Sequence, residues 1–150
     1  MMSEKTYFID TSALFKRYAE EPGTEIIKQV FAEKANRFIS QLTMIEVVSN
    51  LKRLAEIDKI ISEEEFKQVT RIFLGEIASG AIYTLNVTPK VVLLSVDLYS
   101  ERYLTPIDAL QLAAALSIKS SSSPLFVCSD QKLIKAAASY GLQTLNPLSA

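Results

Sequence analysis

The sequence has no histidine and only one cysteine, and these two shortages exclude several kinds of active site. Without imidazole there is no Ser-His or Cys-His nucleophile pair and no histidine-based zinc site. Cys128 stands alone in an apolar run, so it has no partner for an intramolecular disulfide, and we expect a small buried hydrophobic residue there. Any acid chemistry in this chain must therefore come from carboxylates.

Long hydrophobic runs and an excess of basic residues are also missing. No apolar stretch approaches the length that spans a bilayer, and the first residues do not resemble a secretory signal, so we expect a cytoplasmic protein without membrane association. The net charge of -1 provides no global attraction for nucleic acid.

With 150 residues, 49% of them hydrophobic, the chain is long enough for one core, and a single domain over 1–150 is predicted.

Short apolar runs alternate with helical patterns along the whole chain. Strands are predicted at 5–10, 37–40, 82–87, 125–129 and 142–147. Helices are predicted at 13–21, 22–34, 43–58, from the Ser62 and Glu65 capping box to Gly80, from 89 to about 103, at 106–119 and at 130–140, with serines 120–123 as a polar loop. Because parallel strands need crossover helices between them, the pattern predicts an α/β domain whose central, mostly parallel sheet has about four to five short strands flanked by helices.

Two acids follow predicted strands at the point where a helix begins. Asp10 comes directly after the first strand, and Asp130 comes directly after the strand that contains Cys128. Ligand sites in open α/β sheets lie beyond the carboxyl ends of the strands, which is where both acids are expected. The alternative for each is a helix N-cap, the commonest role of Asp at such a junction.

Two further acids lie in predicted helices that are largely apolar. Glu46 follows Thr43 by three residues and Asp108 follows Thr105 by three residues, so both match the capping-box pattern and have a purely structural explanation. Asp108 nevertheless shares a helical face with apolar residues, and Glu46 has apolar residues on both sides. We therefore expect both carboxylates to be partly buried.

Partly buried carboxylates that converge raise one another's pKa, and a divalent cation relieves that repulsion. Oxygen-only ligands favour hard ions, Mg²⁺ first and then Mn²⁺. Such an ion activates water and stabilises charge on phosphoryl oxygens, which fits phosphodiester hydrolysis. Thr11 and Ser12 would orient a water or the substrate phosphate, and the alternative for Ser12 is a helix cap.

The four acidic segments occur in an order that resembles the PIN-domain family, and most of all the toxin ribonucleases called VapC. The segments are Asp10-Thr11-Ser12-Ala13-Leu14, Glu46 in a helix, Asp108-Ala109-Leu110-Gln111-Leu112 with the alanines after it, and Ser129-Asp130-Gln131-Lys132-Leu133. The resemblance runs from about Tyr7 to the C-terminus. It implies a parallel sheet flanked by helices, and Mg²⁺- or Mn²⁺-dependent endonucleolytic cleavage of RNA. It also implies homodimerisation and inhibition by a small antitoxin protein.

The resemblance further implies which residues form the site. It assigns catalysis and metal binding to Asp10, Glu46, Asp108 and Asp130, with Ser12 as an additional catalytic residue. The sequence departs from the family in lacking a basic run and in placing Cys128 where many relatives carry a hydroxyl residue. Candidate phosphate contacts, each with a solvated helix face as its alternative role, are Lys16, Arg17, Lys52, Arg53 and Lys132.

Two other functions remain open at this point. A phosphatase of the haloacid-dehalogenase kind would use Asp10 as a nucleophile, but such enzymes carry a second Asp two residues later, where this chain has Ser12. A catalytically silent PIN-like module would bind a protein partner or a second copy through apolar helices such as the segment at 90–99. The intact set of four acids favours the nuclease over both.

Overall fold

The computed structural model describes residues 4–149. It contains the strands β1 (Lys5–Ile9), β2 (Ala35–Ser40), β3 (Tyr83–Leu85), β4 (Leu125–Val127) and β5 (Gln143–Leu145). The helices are α1 (Thr11–Leu14), α2 (Thr24–Ala32), α3 (Gln41–Glu56), α4 (Glu63–Ala78), α5 (Pro89–Leu98), α6 (Pro106–Ser117), α7 (Lys119–Ser122) and α8 (Gln131–Ser139). A short 3-10 turn follows α1 at Phe15–Arg17.

The five strands form one sheet in the order β3-β2-β1-β4-β5, and every neighbouring pair is parallel. The predicted α/β architecture with a mostly parallel sheet of four to five strands is therefore confirmed. β1 lies in the centre, where Phe8 pairs in register with Phe38 on β2 and with Phe126 on β4. This order places the carboxyl ends of β1 and β4 side by side, and the two acids that follow these strands lie at the same edge of the sheet.

Side chains of β1 alternate between two hydrophobic cores, one on each face of the sheet. Tyr7 and Ile9 pack into a core with Val47 of α3 and Phe73 of α4. Phe8 points to the opposite face, where its ring stacks on that of Phe126 with 5.7 Å between centroids and packs against the alanine-rich helices α6 and α8. Helix layers thus cover both faces, as parallel sheets require.

The predicted capping box of Thr43 and Glu46 at the start of α3 is wrong. The helix begins at Gln41, because the Ser40 hydroxyl accepts a hydrogen bond from the backbone N–H of Leu42 and serves as the N-cap. Thr43 therefore lies inside the first turn, fully buried, and does not cap the helix together with Glu46. The predicted capping box of Ser62 and Glu65 at the start of α4 is confirmed.

Three other predicted elements are shorter or different in the structure. The helix predicted at 13–21 is reduced to α1 and the 3-10 turn. Helix α5 ends at Leu98 instead of continuing to about residue 103, and the Tyr99 hydroxyl donates to the Leu104 carbonyl across the turn that follows. The predicted serine loop begins within α7, where the hydroxyls of Ser121 and Ser122 donate to the Ile118 carbonyl.

Across residues 4–149, none of the helices combines the length and the apolar character that a bilayer crossing requires.

Candidate active site

Asp10 lies at the centre of the candidate site, buried at the carboxyl end of β1. Its backbone N–H donates to the Val127 carbonyl of β4 at 2.9 Å, which extends the sheet pairing by one residue. Both carboxylate oxygens accept hydrogen bonds, Oδ1 from the Gln111 amide at 3.1 Å and Oδ2 from the Ser12 hydroxyl at 2.7 Å. The Ser12 backbone N–H also lies 3.3 Å from Oδ2, so Asp10 is the N-cap of α1 as well. The capping interpretation and the functional one apply to the same residue.

Ser12 and Cys128 join the β1 edge to the β4 edge. The Ser12 hydroxyl accepts a hydrogen bond from the Ser129 backbone N–H at 3.2 Å while it donates to Asp10. The Cys128 thiol is fully buried 3.6 Å from Asp10 Oδ2, and it accepts from the backbone N–H of Asp130 at 3.3 Å. Burial, with the neighbouring Asp10 charge, raises the pKa of this thiol far above its ordinary value. The prediction that Cys128 is a small buried residue is confirmed.

Asp130 follows β4 and is exposed. Its Oδ1 accepts from the Leu133 backbone N–H at 3.1 Å, which makes it the N-cap of α8. The predicted location at the same sheet edge as Asp10 is confirmed, and so is the capping alternative. One carboxylate oxygen is engaged by the helix, and the side chain remains open to solvent.

Glu46 is half-buried on α3, one turn beyond the N-terminus of the helix. The Thr11 hydroxyl donates to Glu46 Oε1 at 2.7 Å. The pKa of Glu46 is raised, first by burial and further by the negative charges of Asp10 and Asp108, while the Thr11 hydrogen bond opposes the shift. Glu46 is therefore close enough to Asp10 and Asp108 for their charges to act on it.

Asp108 is half-buried in the first turn of α6. The Thr105 hydroxyl caps this helix by accepting from the Asp108 backbone N–H at 3.3 Å, as the sequence predicts. Burial raises the pKa of Asp108, and the charges of Asp10 and Asp130 raise it further. The charges of all four predicted acids thus interact at one edge of the sheet, and the expected partial burial of Glu46 and Asp108 is confirmed.

Sequence reasoning missed two polar residues that complete this region. Gln111 of α6 and Thr43 of α3 are both fully buried, and the Gln111 amide nitrogen lies 2.9 Å from Thr43 Oγ1. The sequence does contain a signal for Gln111, since it is the one polar residue between Asp108 and Ser117. A buried amide in such an apolar stretch requires partners, and the structure shows that they are Asp10, Thr11 and Thr43.

Most of the candidate phosphate contacts already have other partners. Lys16 is buried and forms an ion pair with Glu21 at 2.9 Å. Arg17 donates hydrogen bonds to Glu76 of α4 through two of its nitrogens, Nε and Nη2, and Lys52 pairs with Glu63 at 2.7 Å. Arg53 and Lys132 are exposed. Lys16, Arg17 and Lys52 therefore already balance the charge of a neighbouring acid.

The oxygen-rich character of the site fits a hard divalent cation. Within residues 4–149 no group of three or more acidic, cysteine or histidine side chains is arranged closely enough to hold a metal ion. Mg²⁺ commonly binds to proteins through one or two carboxylates, with water and substrate phosphate as the other ligands. Burial is the main cause of the raised pKa of Glu46 and of Asp108, and the negative charges of neighbouring carboxylates, which a cation would offset, raise both further. A site that offers carboxylates as metal ligands, with water as the remaining ligands, is therefore compatible with Mg²⁺.

The chain is thus an α/β protein with a five-stranded parallel sheet and a group of carboxylates at its carboxyl edge. Two of these acids follow β1 and β4, and two lie in α3 and α6. The sequence profile described as PIN domain matches residues 7–139. The chain belongs to the PIN domain family. No curated protein gave a significant match to the sequence.

Solved structures with the same fold include proteins of toxin-antitoxin systems. A toxin-antitoxin complex from Klebsiella pneumoniae is 20% identical with a TM-score of 0.66, and the match covers 95% of this chain and 98% of that chain. FitAB bound to an IR36 DNA fragment is 13% identical with a TM-score of 0.71 and coverage of 97% of both chains. VapBC2 from Rickettsia felis, bound to a DNA fragment from its promoter, is 15% identical with a TM-score of 0.67, covering 94% and 98%. At these identities the similarity establishes the fold.

Proposed function

We propose that this chain is a Mg²⁺- or Mn²⁺-dependent endoribonuclease that acts in the cytoplasm as the toxin of a toxin-antitoxin pair. The observation that carries the proposal is the hydrogen-bonded connection of Asp10 to Glu46 through Gln111 and Thr11 at the carboxyl edge of the sheet, where the charges of Asp108 and Asp130 also act. Membership of the PIN domain family supports nuclease chemistry at this edge. The structural similarity to toxin-antitoxin proteins supports the toxin role.

The proposal gives each acid a role. Asp10, Asp108 and Asp130 bind the cation directly or through water, and Glu46 completes the opposite side of the site. A bound cation supplies an activated water and stabilises the charge that develops on the phosphoryl oxygens. Ser12 holds Asp10 in place, because its hydrogen is donated to Asp10 and its oxygen accepts from Ser129.

Two exposed apolar surfaces support protein partners for this chain. On α5 the side chains of Leu93 and Val96 are 67% and 60% exposed. On the other side, Ile45 of α3 is 71% exposed beside Leu74 of α4 at an apolar groove of about 460 Å³. Apolar patches of this kind mark interaction sites in soluble proteins. They support the homodimer and the small antitoxin partner that form part of the proposal.

Self-association is tested separately from catalysis. We expect the wild-type protein to elute as a dimer in size-exclusion chromatography with light scattering. Leu93→Glu and Val96→Glu place a charge on the α5 surface, and at least one of them should shift the mass to that of a monomer if α5 forms the dimer contact. A monomeric wild-type protein would remove the homodimer from the proposal without affecting the nuclease.

The exposed apolar helices also favour one alternative function, a catalytically silent module that binds a protein partner. In that case the acids would be structural, with Asp10 and Asp130 serving as N-caps. A Mg²⁺-dependent phosphatase has less support, because Ser12 and not an acid lies two residues after Asp10. Cleavage activity separates the nuclease from the binding module.

The deciding experiment is cleavage of a labelled structured RNA by purified protein with Mn²⁺, with Mg²⁺ and with EDTA. Asp10→Asn is prepared identically, and so is Glu101→Gln, which changes an exposed acid outside the site. We expect metal-dependent cleavage by wild type and Glu101→Gln, and its loss in Asp10→Asn. Equal cleavage by Asp10→Asn would mean that the cleavage does not depend on the proposed site and would leave the nuclease without support, and absence of cleavage on several RNAs would favour the binding module.

A further inference from the structure

A buried amide and two buried hydroxyls form a continuous link between the carboxylates of Asp10 and Glu46. The Gln111 amide nitrogen lies 3.1 Å from Asp10 Oδ1, 2.9 Å from Thr43 Oγ1 and 3.2 Å from Thr11 Oγ1. The two threonine hydroxyls lie 2.9 Å apart, and Thr11 donates to Glu46 Oε1 at 2.7 Å. The link joins the end of β1, helix α3 and helix α6, which are far apart in the sequence.

The hydrogens in this link are directed toward the two carboxylates. Thr11 has a single hydroxyl hydrogen, which it donates to Glu46, so its oxygen accepts from Thr43 or from the Gln111 amide. The amide has two hydrogens, and one of them is donated to Asp10. The Thr11 hydroxyl and the Gln111 amide thus both donate to carboxylate oxygens, of Glu46 and Asp10 respectively. Ionised carboxylates only accept hydrogen bonds, so this arrangement suits them.

The amide at position 111 is not explained by packing. Gln111 is fully buried in α6 between Leu110 and Leu112, and its Oε1 has no hydrogen-bond partner among residues 4–149. A buried carbonyl oxygen without a partner is unfavourable, and an apolar side chain of similar length would avoid it. The contacts that Gln111 gains in return all go to the acid of β1 and to the two threonines.

We propose that Gln111 and Thr43 are positioning residues that hold Asp10 and Glu46 in a fixed relative placement for the metal-dependent reaction. The proposal rests on the proposed function. Neither residue reaches solvent, so neither contacts RNA, and both act through the carboxylates that they orient. Residues that orient the ligands of a metal influence its affinity as well as the rate of the reaction.

The test measures binding of Mn²⁺ alone to the whole protein, by titration calorimetry, without any RNA. Gln111→Met keeps the length of the side chain and removes the amide donor. Thr43→Val keeps the shape and removes the hydroxyl, while Thr43→Ser restores the hydroxyl. The matched control is Thr24→Val, since Thr24 is equally buried and its hydroxyl bonds to the backbone of Lys16 and Glu21, outside the link.

We expect Gln111→Met and Thr43→Val to raise the Kd for Mn²⁺ by about 10- to 100-fold. Thr43→Ser should recover most of the lost affinity. Thr24→Val should lower the melting temperature and leave the Mn²⁺ Kd unchanged. In RNA cleavage at saturating Mn²⁺, Gln111→Met should lower kcat and leave KM for RNA unchanged, because the side chain does not contact RNA.

The outcomes separate the two proposals. Mn²⁺ binding by wild type with an unchanged Kd in Gln111→Met would overturn the positioning role and leave the proposed function in place. A loss of affinity in Thr24→Val as large as that in Thr43→Val would also overturn it, because the effect would then reflect general destabilisation. Absence of Mn²⁺ binding by wild type would overturn the metal-dependent function and the positioning role together.

Discussion

Thr11 donates a 2.7 Å hydrogen bond to Glu46, and this contact stabilises the ionised form of a carboxyl group whose pKa is raised by its other surroundings. Burial and the charges of Asp10 and Asp108 raise the pKa of Glu46, while the Thr11 hydroxyl lowers it. The same opposition exists at Asp108, where the Thr105 cap lowers a pKa that burial and two neighbouring acids raise. Carboxylates at this sheet edge are therefore held close together against their mutual repulsion, and this has measurable consequences.

The first prediction is that Glu46→Gln and Asp108→Asn each raise the melting temperature of the metal-free protein at neutral pH. A carboxyl group whose pKa is higher in the folded state stabilises the fold below its unfolded pKa and loses that contribution as pH rises through the folded pKa. At neutral pH the ionised group is thus less favourable than a neutral amide. Because both side chains are only half-buried, solvent screening limits the gain to about 1 kcal/mol, or about 2 to 4 °C.

Thermal melts in EDTA at neutral pH and at about pH 3 check this prediction, because pH 3 lies below the ordinary pKa of both Glu and Asp. There the two variants should lose their advantage over wild type. Glu101→Gln is the control and should show no comparable gain at neutral pH. A gain of the same size at both pH values would mean that the amide improves packing and that ionisation is not the cause.

The second prediction is that Mn²⁺ or Mg²⁺ stabilises the wild-type fold more than it stabilises Asp10→Asn. A ligand that binds only the folded state adds about 2.7 kcal/mol at a concentration 100 times its Kd. For a chain of this length that corresponds to a rise in melting temperature of about 5 to 10 °C. Melting curves over a titration of Mn²⁺ measure the shift, and equal shifts in the two proteins would exclude Asp10 as a metal ligand.

The third prediction concerns Arg17, whose pairing with Glu76 ties the turn after α1 to α4. The Arg17 Nε lies 3.0 Å from Glu76 Oε2, its guanidinium stacks on the Phe31 ring at 3.8 Å, and the Tyr18 hydroxyl donates to the same carboxylate. Arg17→Met leaves the acid without its cation in a largely buried place, and the free energy of unfolding should fall by about 3 kcal/mol. Urea denaturation measures this loss.

The same Arg17 variants also test whether Arg17 contacts the phosphates of RNA. Because the guanidinium is engaged by Glu76, KM for RNA should be the same for folded Arg17→Met and for wild type at a temperature where both are fully folded. Arg17→Lys, which keeps the charge but not the two-point contact, should have intermediate stability. A large increase in KM with unchanged stability would restore Arg17 as a phosphate contact.

The parts of the site that follow strands were predictable, and the parts that depend on tertiary packing were not. Asp10 and Asp130 were located from the sequence because each directly follows an apolar run, and parallel strands end at the same edge. Asp108 was located from the Thr105-Pro106 start of its helix. These signals lie within a few residues of the acid itself, so they needed no knowledge of distant contacts.

Thr43 and Gln111 show where local reasoning failed. The Thr43 capping pattern suggested a helix start that Ser40, an equally good cap, provides three residues earlier, and the shift turns Thr43 toward the buried side of α3. The partner of Gln111, Asp10, lies 101 residues away, and their contact depends on β1 lying beside β4 with α6 packed across them. Strand order is a property of the whole chain and has no local signature.

The fourth prediction compares the same substitution at two glycines and expects opposite signs. Gly75 lies inside α4, where an added Cβ meets nothing within 4 Å, so Gly75→Ala should raise the free energy of unfolding by about 0.5 to 1 kcal/mol. Gly23 precedes α2 with a φ of +95°, and a Cβ there would lie 3.0 Å from Lys16 Cδ and from Pro147 Cβ. The strained backbone alone should cost Gly23→Ala about 1 to 2 kcal/mol.

Urea denaturation of the two variants measures both effects against one wild-type curve, and their difference cancels the influence of alanine on the unfolded chain. The added Cβ at Gly23 also presses on the stem of Lys16, which is buried against Glu21. If Lys16 has only a structural role, the activity of folded Gly23→Ala should equal that of wild type even though its stability is lower. A stabilised Gly23→Ala would show that the backbone before α2 adopts another conformation, and the buried placement of Lys16 would then be wrong as well.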